Sequence, residues 1–330
     1  MVRAKPLRQD DGAIVETFKG YLRKVLPVVV LLMAVLIIHR FILLRMDGYP
    51  RYFVRWDAWL FMWPKLSFLT DCLREWTWPR WDPYDFAGTP LFSNMQTLYY
   101  HPLVFIYALV FGFSLQNLQI YLLVLYLFGA LNMYLLARTF DVPVRLAILF
   151  GVLYTVSGFA IGNAQHYPQL HLFMTEPLTL CLLLRYVKHR SIANFSLATA
   201  GTVVLISGGY PSILGHLLLF NFLFMLAMVA RTGQQRVKPI AGLAAVYALA
   251  FIVMAPMLVP ALLSLPYITR GDGVSYATFT RHSLSPSYLV GLFNPFLGLM
   301  YFDGTTDDIS LRNCTIGLLP ACCLVYALVR

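Results

Sequence analysis

Long apolar runs separated by short polar segments make up most of the 330-residue chain. Runs long enough to cross a bilayer, about 20 apolar residues, lie at roughly 26–45, 115–137, 146–164, 170–187, 193–210, 212–230, 239–263 and 314–329. A shorter run, Val104 to Phe113, is interpreted as a re-entrant or interfacial helix. The pattern predicts an all-α, polytopic integral membrane protein with about eight transmembrane helices and two large loops, 46–102 and 265–313.

Basic residues are concentrated on one side of this predicted topology. Fifteen of the 25 Lys and Arg, but only four of the fifteen Asp and Glu, lie in segments 1–25, 138–145, 185–192 and 231–238 and at the last residue. Cytoplasmic loops of membrane proteins carry such an excess. We therefore expect a cytoplasmic N-terminal tail, 1–25, and two extracytoplasmic loops. The +10 net charge then calls for no nucleic-acid partner. With 59% hydrophobic and 12% charged residues, the chain is not an ordinary soluble domain.

The first large loop contains all six tryptophans of the chain, between Trp56 and Trp81. From Trp56 to Trp76 the apolar residues recur at helical spacing, with Lys65 on the opposite face, which predicts an amphipathic helix lying in the membrane interface and bent at Pro64. Two interpretations of the tryptophans stay open. They form an aromatic belt that anchors the helix, or they stack on a sugar or lipid headgroup.

The rest of this loop resembles a known family. The run Pro79-Arg-Trp-Asp-Pro-Tyr-Asp-Phe-Ala-Gly-Thr-Pro90, followed by Asn94-Met-Gln96 and Tyr99-Tyr-His-Pro-Leu103, is similar to the first-loop signature of bacterial YfhO-type membrane proteins, which are themselves similar to GT-C glycosyltransferases. The resemblance covers about 45–313, and further segments keep the family's order: Tyr154–Gly158, His166 and His171 before Glu176, Ser207–Pro211 and Ser283–Pro286.

The resemblance implies a GT-C-like fold, treated as one membrane domain over 1–330, in the bacterial cytoplasmic (inner) membrane. Family members run beyond the end of this chain, which predicts a fragment or a short form. The implied activity is transfer of a sugar from a polyprenyl-phosphate donor to a lipid, glycan or cell-envelope polymer outside the cytoplasm, with inversion. The partners are thus a polyprenyl-phosphate-linked sugar, a lipid or glycan acceptor and membrane lipids.

The implied catalytic residue is an aspartate that acts as general base. The family carries an acidic residue seven positions before a proline of the first loop, and Asp57 precedes Pro64 by seven. Glycine often stands before this aspartate in the family, whereas Trp56 stands here, so Asp47 is kept as the alternative base. A structural alternative for Asp57 is the N-cap of the following helix.

Basic residues are candidates to hold the donor phosphate, because the leaving group needs cationic partners. We predict Arg281 and His282 first and Arg270 next, all in the second loop. Arg40 is a further candidate, since basic residues at membrane depth are functional hypotheses by default. Its structural alternative is an extended side chain that reaches the headgroups.

Polar and aromatic residues complete the predicted substrate-binding set: His166, His171, Glu176, Trp81, Asp82, Asn94, Gln96 and His101. His166 and His171 lie five residues apart, so a metal pair and a merely structural turn are alternatives to a pocket lining. An acidic cluster in the second loop is an exposed turn or a divalent-cation site: Asp303, Asp307 and Asp308. No cofactor is certain, and a divalent cation is possible.

Two other function classes remain open. In a membrane transporter or lipid flippase, the intramembrane residues Arg40, His216 and Glu176 would be substrate or proton groups. A non-catalytic envelope assembly protein would keep only the fold. Polar residues crowd into the predicted loops rather than into broken midplane helices, which favours the transferase.

Overall fold

The structure is a computed structural model that describes residues 9–43, 45–46, 49–50, 54, 56–85, 87–231, 237–268, 273, 275–280, 289, 291–292, 315–317 and 326. Within these residues the chain is mostly helical. The α-helices are α1 (Gln9–Ile38), α2 (Trp63–Arg74), α3 (Pro102–Val110), α4 (Leu115–Thr139), α5 (Val144–Thr155), α6 (Gly158–Gly162), α7 (Tyr167–Lys188), α8 (Ile192–Ile206), α9 (Pro211–Arg231), α10 (Val237–Val253), α11 (Ala255–Ser264) and α12 (Tyr276–Thr280).

Short elements connect the helices, and most of those described lie between α1 and α3. Two antiparallel pairs of two-residue strands are formed, β1 (Arg45–Met46) with β2 (Tyr49–Pro50) and β3 (Trp81–Asp82) with β4 (Thr89–Pro90). A π-helix (Ala58–Met62) leads directly into α2. Three 3-10 turns complete the list: Arg40–Leu43, Met95–Thr97 and Leu265–Tyr267.

Among the described residues, five helical segments are long and apolar enough to cross a membrane: Gly20–Ile38, Leu115–Thr139, Val144–Gly162, Tyr167–Lys188 and Pro211–Arg231. Helices α10 and α11 add a sixth if the pair, which is bent by 70°, counts as one span. Helix α8 has 15 residues and falls below that length. The predicted eighth run, 314–329, lies almost wholly outside the described residues, so eight crossings stay a prediction. The predicted short helix is α3, with nine residues.

Helices α4 and α7 form the centre of the bundle, packed against α5, α8 and α9. A Cβ on Gly129 of α4 would lie 2.0 Å from the Met174 sulfur of α7, so glycine allows these two helices to pack closely without displacing Met174. Two central tyrosines bond to backbone carbonyls of neighbouring segments: Tyr126 donates to Ala160 O at 3.1 Å and Tyr167 to Leu118 O at 3.0 Å. These hydrogen bonds tie the segments together within a mostly apolar centre.

Contacts between turns define two ends of the bundle. At one end, the Lys188 ammonium of α7 donates to the Thr139 carbonyl of α4 at 2.9 Å. At the other end, the turn after α8 meets the first loop, since a Cβ on Gly209 would lie 2.0 Å from the Met95 carbonyl oxygen. Helix α8 thus runs from one end of the bundle to the other, although it is short.

One prediction for the amphipathic helix is wrong. Lys65 was expected on its polar, exposed face, but the side chain is buried and forms an ion pair of 2.5 Å with Asp85. The Lys65 ammonium also lies 4.8 Å from the Phe61 ring centre. The backbone carbonyl of Lys65 accepts a hydrogen bond from the Tyr99 hydroxyl at 2.9 Å. The following part of the loop folds back over α2 and covers this face, which the local periodicity does not reveal.

Candidate functional site

Asp57 occupies a distorted stretch of backbone. Trp56 before it has a left-handed conformation with φ 62°, which is uncommon for a bulky residue. The π-helix Ala58–Met62 follows immediately, and π turns are rare and often found at functional sites. Distortions of this kind persist where the surrounding structure holds them.

The Asp57 side chain does not cap the helix that follows it, which was the structural alternative to a catalytic role. Asp57 stands at the N-cap position of the π-helix, yet its carboxylate makes no capping hydrogen bond. The side chain is 60% exposed. Instead of turning back to the helix, the carboxylate faces another part of the chain.

That partner is His166, at the start of α7. The Asp57 Oδ2 atom lies 3.4 Å from His166 Nε2, and the histidine side chain is 13% exposed. The other ring nitrogen, Nδ1, lies 3.2 Å from Asn163 Oδ1. The Asn163 amide nitrogen donates to Phe159 O at 3.1 Å, which turns its oxygen towards the ring. His166 is thus held between two acceptor oxygens and reaches the exposed carboxylate of Asp57.

His171 has entirely different partners. Its Nε2 atom lies 3.0 Å from the Tyr121 hydroxyl, and its ring centre is 4.2 Å from that of His101 in an edge-to-face arrangement. Both histidines are fully buried. The structure therefore gives His166 and His171 different partners. Among the described residues no group of three or more His, Cys, Asp or Glu side chains is arranged to hold a metal.

The buried position of His101 has an electrostatic consequence. Neither ring nitrogen has a hydrogen-bond partner among the described residues. Burial lowers the pKa of His101 to about 3, since the charged form loses its hydration. His101 is consequently neutral at physiological pH and lies in the packed interior rather than on the surface beside Asp57.

Other predicted residues of the first loop hold its shape. Asp82 is buried, and its Oδ1 atom accepts from the Tyr84 amide at 2.9 Å. The Asn94 side chain caps the 3-10 turn by accepting from the Gln96 amide at 3.1 Å. Trp81 is exposed on one side and packs against Gly88 on the other. These contacts hold the described parts of the loop together.

The candidate phosphate ligands are mostly outside the described residues. Arg40 is described and exposed, and its guanidinium donates to the Ile37 carbonyl at 2.8 Å, where it caps the end of α1. The other predicted basic residues, the alternative base and the acidic cluster lie outside the described residues: Arg270, Arg281, His282, Asp47, Asp303, Asp307 and Asp308.

Glu176 lies in the interior of α7 and has a partner that the sequence did not suggest. The Asn221 amide nitrogen of α9 donates to Glu176 Oε2 at 3.1 Å, and both side chains are buried. The signal available in the sequence was a single asparagine within an apolar run of 19 residues, 212–230. Polar residues in such runs commonly bond across helices.

Comparisons of the chain with known protein families, with curated proteins and with solved structures find no match.

Proposed function

We propose that this integral membrane protein is a GT-C-type inverting glycosyltransferase of the bacterial cytoplasmic membrane. It moves a sugar from a polyprenyl-phosphate donor to a lipid, glycan or cell-envelope polymer on the extracytoplasmic side. The observation that carries the proposal is the exposed Asp57 carboxylate, which stands between a left-handed tryptophan and a π-helix and is oriented by His166. The motifs shared with YfhO-type proteins support the same assignment.

The chemistry follows from the properties of a carboxylate. Asp57 removes the proton from an acceptor hydroxyl while that oxygen attacks the anomeric carbon of the sugar. The bond to the donor phosphate breaks with its electron pair on the phosphate, and attack from the opposite face inverts the anomeric centre. His166 is a positioning residue here, because it contacts the carboxylate and is itself fixed by Asn163.

The surroundings of Asp57 suit a substrate that is anchored in lipid. Trp56, Trp59 and Leu60 are exposed beside it, and aromatic residues favour the boundary between headgroups and hydrocarbon. A polyprenyl chain in the bilayer would present its sugar at this boundary. The opposite end of the bundle carries exposed basic residues, which supports an extracytoplasmic position for Asp57: Arg138, Arg145, Arg185, Lys188 and Arg190.

A transporter is the second candidate function, and the buried Glu176–Asn221 pair within membrane helices favours it. The two candidates differ in turnover. Purified protein in liposomes is incubated with a radiolabelled polyprenyl-phosphate sugar and an envelope lipid extract. A transferase produces labelled acceptor and free polyprenyl phosphate, whereas a transporter changes only the side of the membrane on which the label lies.

The Asp57→Asn variant tests the mechanism within this assay. Asparagine keeps the size of the side chain but does not accept the acceptor's proton, so we expect turnover to fall roughly 100-fold or more. Asp71→Asn is the matched control, because Asp71 is an exposed aspartate of the same loop, whose contact with Arg74, at 3.8 Å, is on the surface. Normal turnover by Asp57→Asn with loss in Asp47→Asn would move the base to Asp47, and normal turnover by both would refute the mechanism.

A further inference from the structure

The contact between α7 and α9 contains a carboxyl group facing an amide inside the membrane-spanning part of the bundle. Asn221 is fully buried and Glu176 nearly so. Asn221 Nδ2 donates to Glu176 Oε2 at 3.1 Å. The other two oxygens of the pair, Glu176 Oε1 and Asn221 Oδ1, are buried without a hydrogen-bond partner among the described residues.

One proton satisfies both of these oxygens. A carboxylic acid and a primary amide form a reciprocal pair, in which the amide N–H donates to one carboxyl oxygen and the acid O–H donates to the amide oxygen. The first of these bonds is present. The two unpartnered atoms are those that the second bond would join, provided that Glu176 carries its proton on Oε1.

The ionised alternative lacks support from its surroundings. A buried carboxylate needs a cation or several donors, because its desolvation is costly in a protein interior and more so in a membrane. Among the described residues, the titratable groups that interact electrostatically with Glu176 are Tyr154 of α5 and Tyr247 of α10. The Tyr154 hydroxyl donates to Phe173 O, and the Tyr247 hydroxyl makes no hydrogen bond to Glu176 or to any other described residue. Asn221 supplies one donor, which is too little to hold a full charge.

We propose that Glu176 and Asn221 form an intramembrane proton-binding site, with the proton shared across the α7–α9 contact. The bound proton keeps the pair neutral and joins the two helices by two hydrogen bonds. Release of the proton leaves a carboxylate facing an amide oxygen, which repel each other and weaken the contact. The site is distinct from Asp57 and holds whether or not the protein transfers sugars.

Infrared spectroscopy detects this proton directly. The chain has three glutamates, and Glu16 and Glu75 are both exposed. Protein labelled with ¹³C-glutamate should show, at pH 7, a protonated-carboxyl band that shifts with the label and in D₂O, and that disappears in Glu176→Gln. A wild-type spectrum without this band, or a band that persists in Glu176→Gln, overturns the proposal.

Stability measurements give an independent readout. Glutamine reproduces the neutral acid, with its amide donating to Asn221 and its oxygen accepting, so Glu176→Gln should keep the wild-type Tm at pH 7. Wild type should show an additional fall in Tm towards pH 10 as Glu176 loses its proton, and Glu176→Gln should lack it. Glu176→Leu, which removes both bonds, is the comparison. If Glu176→Gln lowers Tm as much as Glu176→Leu, the reciprocal pair is refuted. A wild-type Tm that rises with sodium chloride but not with choline chloride would assign the site to a metal cation and overturn the proton assignment.

Discussion

His101 should make the folded protein sensitive to acid. Its ring is fully buried, neither nitrogen has a hydrogen-bond partner among the described residues, and burial lowers its pKa from 6.5 to about 3. In the unfolded chain the ring takes up a proton near pH 6.5, while the native ring stays neutral. The unfolded state therefore binds more protons between these two values, and the free energy of unfolding falls as the pH falls through this window.

The size of the effect follows from the width of the window. A pH of 4 is 2.5 units below 6.5, the ordinary pKa of histidine, which the ring has in the unfolded chain. Each pH unit in this window changes the free energy of unfolding by about 1.4 kcal/mol. The native ring is still almost unprotonated at that pH. His101 alone should thus remove about 3 kcal/mol of stability between pH 7 and pH 4, out of a total that is typically about 5–15 kcal/mol.

The measurement compares denaturant unfolding in a non-ionic detergent at pH 7 and pH 4. His101→Phe keeps a ring next to His171 but has no titratable nitrogen, so its loss of stability on acidification should be about 3 kcal/mol smaller than that of wild type. Taking the difference between two pH values within each variant cancels any cost of the larger ring. His189→Phe is the control, since His189 is exposed at the polar end of α7, and its loss of stability on acidification should match that of wild type. Equal acid sensitivity of wild type and His101→Phe would refute the reasoning.

Two further predictions concern how the first loop is held on the bundle. Removing Asp85 should cost more than removing Lys65, because the Lys65 side chain is 5% exposed and would stay buried without its partner, whereas Asp85 is 31% exposed and is hydrated when alone. Asp85→Ala should lower stability by about 3 kcal/mol and Lys65→Met by clearly less, and equal losses would contradict this. Gly209→Ala should lower the Tm, because Gly209 has φ 75° and an added Cβ would collide with the Met95 carbonyl of the first loop. Gly215→Ala is the control, because the added carbon meets open space, and its Tm should stay unchanged or rise. An equal fall in Tm in both variants would contradict the role given to the Met95 contact.

Local hydrophobicity predicted those helices whose ends coincide with polar residues. The run 115–137 corresponds to α4, 170–187 to α7 and 212–230 to α9, each within about three residues. The reason is physical, because an apolar run of this length is stable in a bilayer only as a helix with its own backbone hydrogen bonds satisfied. Charges then mark the ends, as Arg138 and Arg231 do.

The bend within 239–263 was not apparent from hydropathy. The apolar run continues through it, but the chain turns by 70° between α10 and α11. Pro256 lies in the first turn of α11 and has no amide hydrogen, so it does not continue the hydrogen-bond ladder of α10. A scale that counts apolar side chains does not register the loss of a backbone donor.

Contacts between distant segments could not be predicted from the sequence, for a different reason. The pairing of Asp57 with His166, and of Glu176 with Asn221, depends on which helices are neighbours. Neither periodicity nor composition contains that information. The family resemblance placed Asp57 among the candidates, and residue type and position placed His166 and Glu176 there, while Asn163 and Asn221 were missed because an amide carries no charge signal.

Trp56 offers a way to test whether the distortion beside Asp57 matters. Its left-handed φ of 62° belongs to the region that glycine adopts without steric cost. The side chain is 72% exposed, so little packing is lost when it is removed.

We therefore expect Trp56→Gly to keep the direction of the Asp57 carboxylate and the transfer activity. Trp56→Val should lower both stability and activity, because a β-branched residue is least tolerant of this conformation, at a cost of about 1–3 kcal/mol. Thermal unfolding and the sugar-transfer assay on both variants measure the two effects. Activity that is lost in Trp56→Gly and kept in Trp56→Val would show that the tryptophan ring acts on the substrate and that the backbone conformation does not orient the carboxylate.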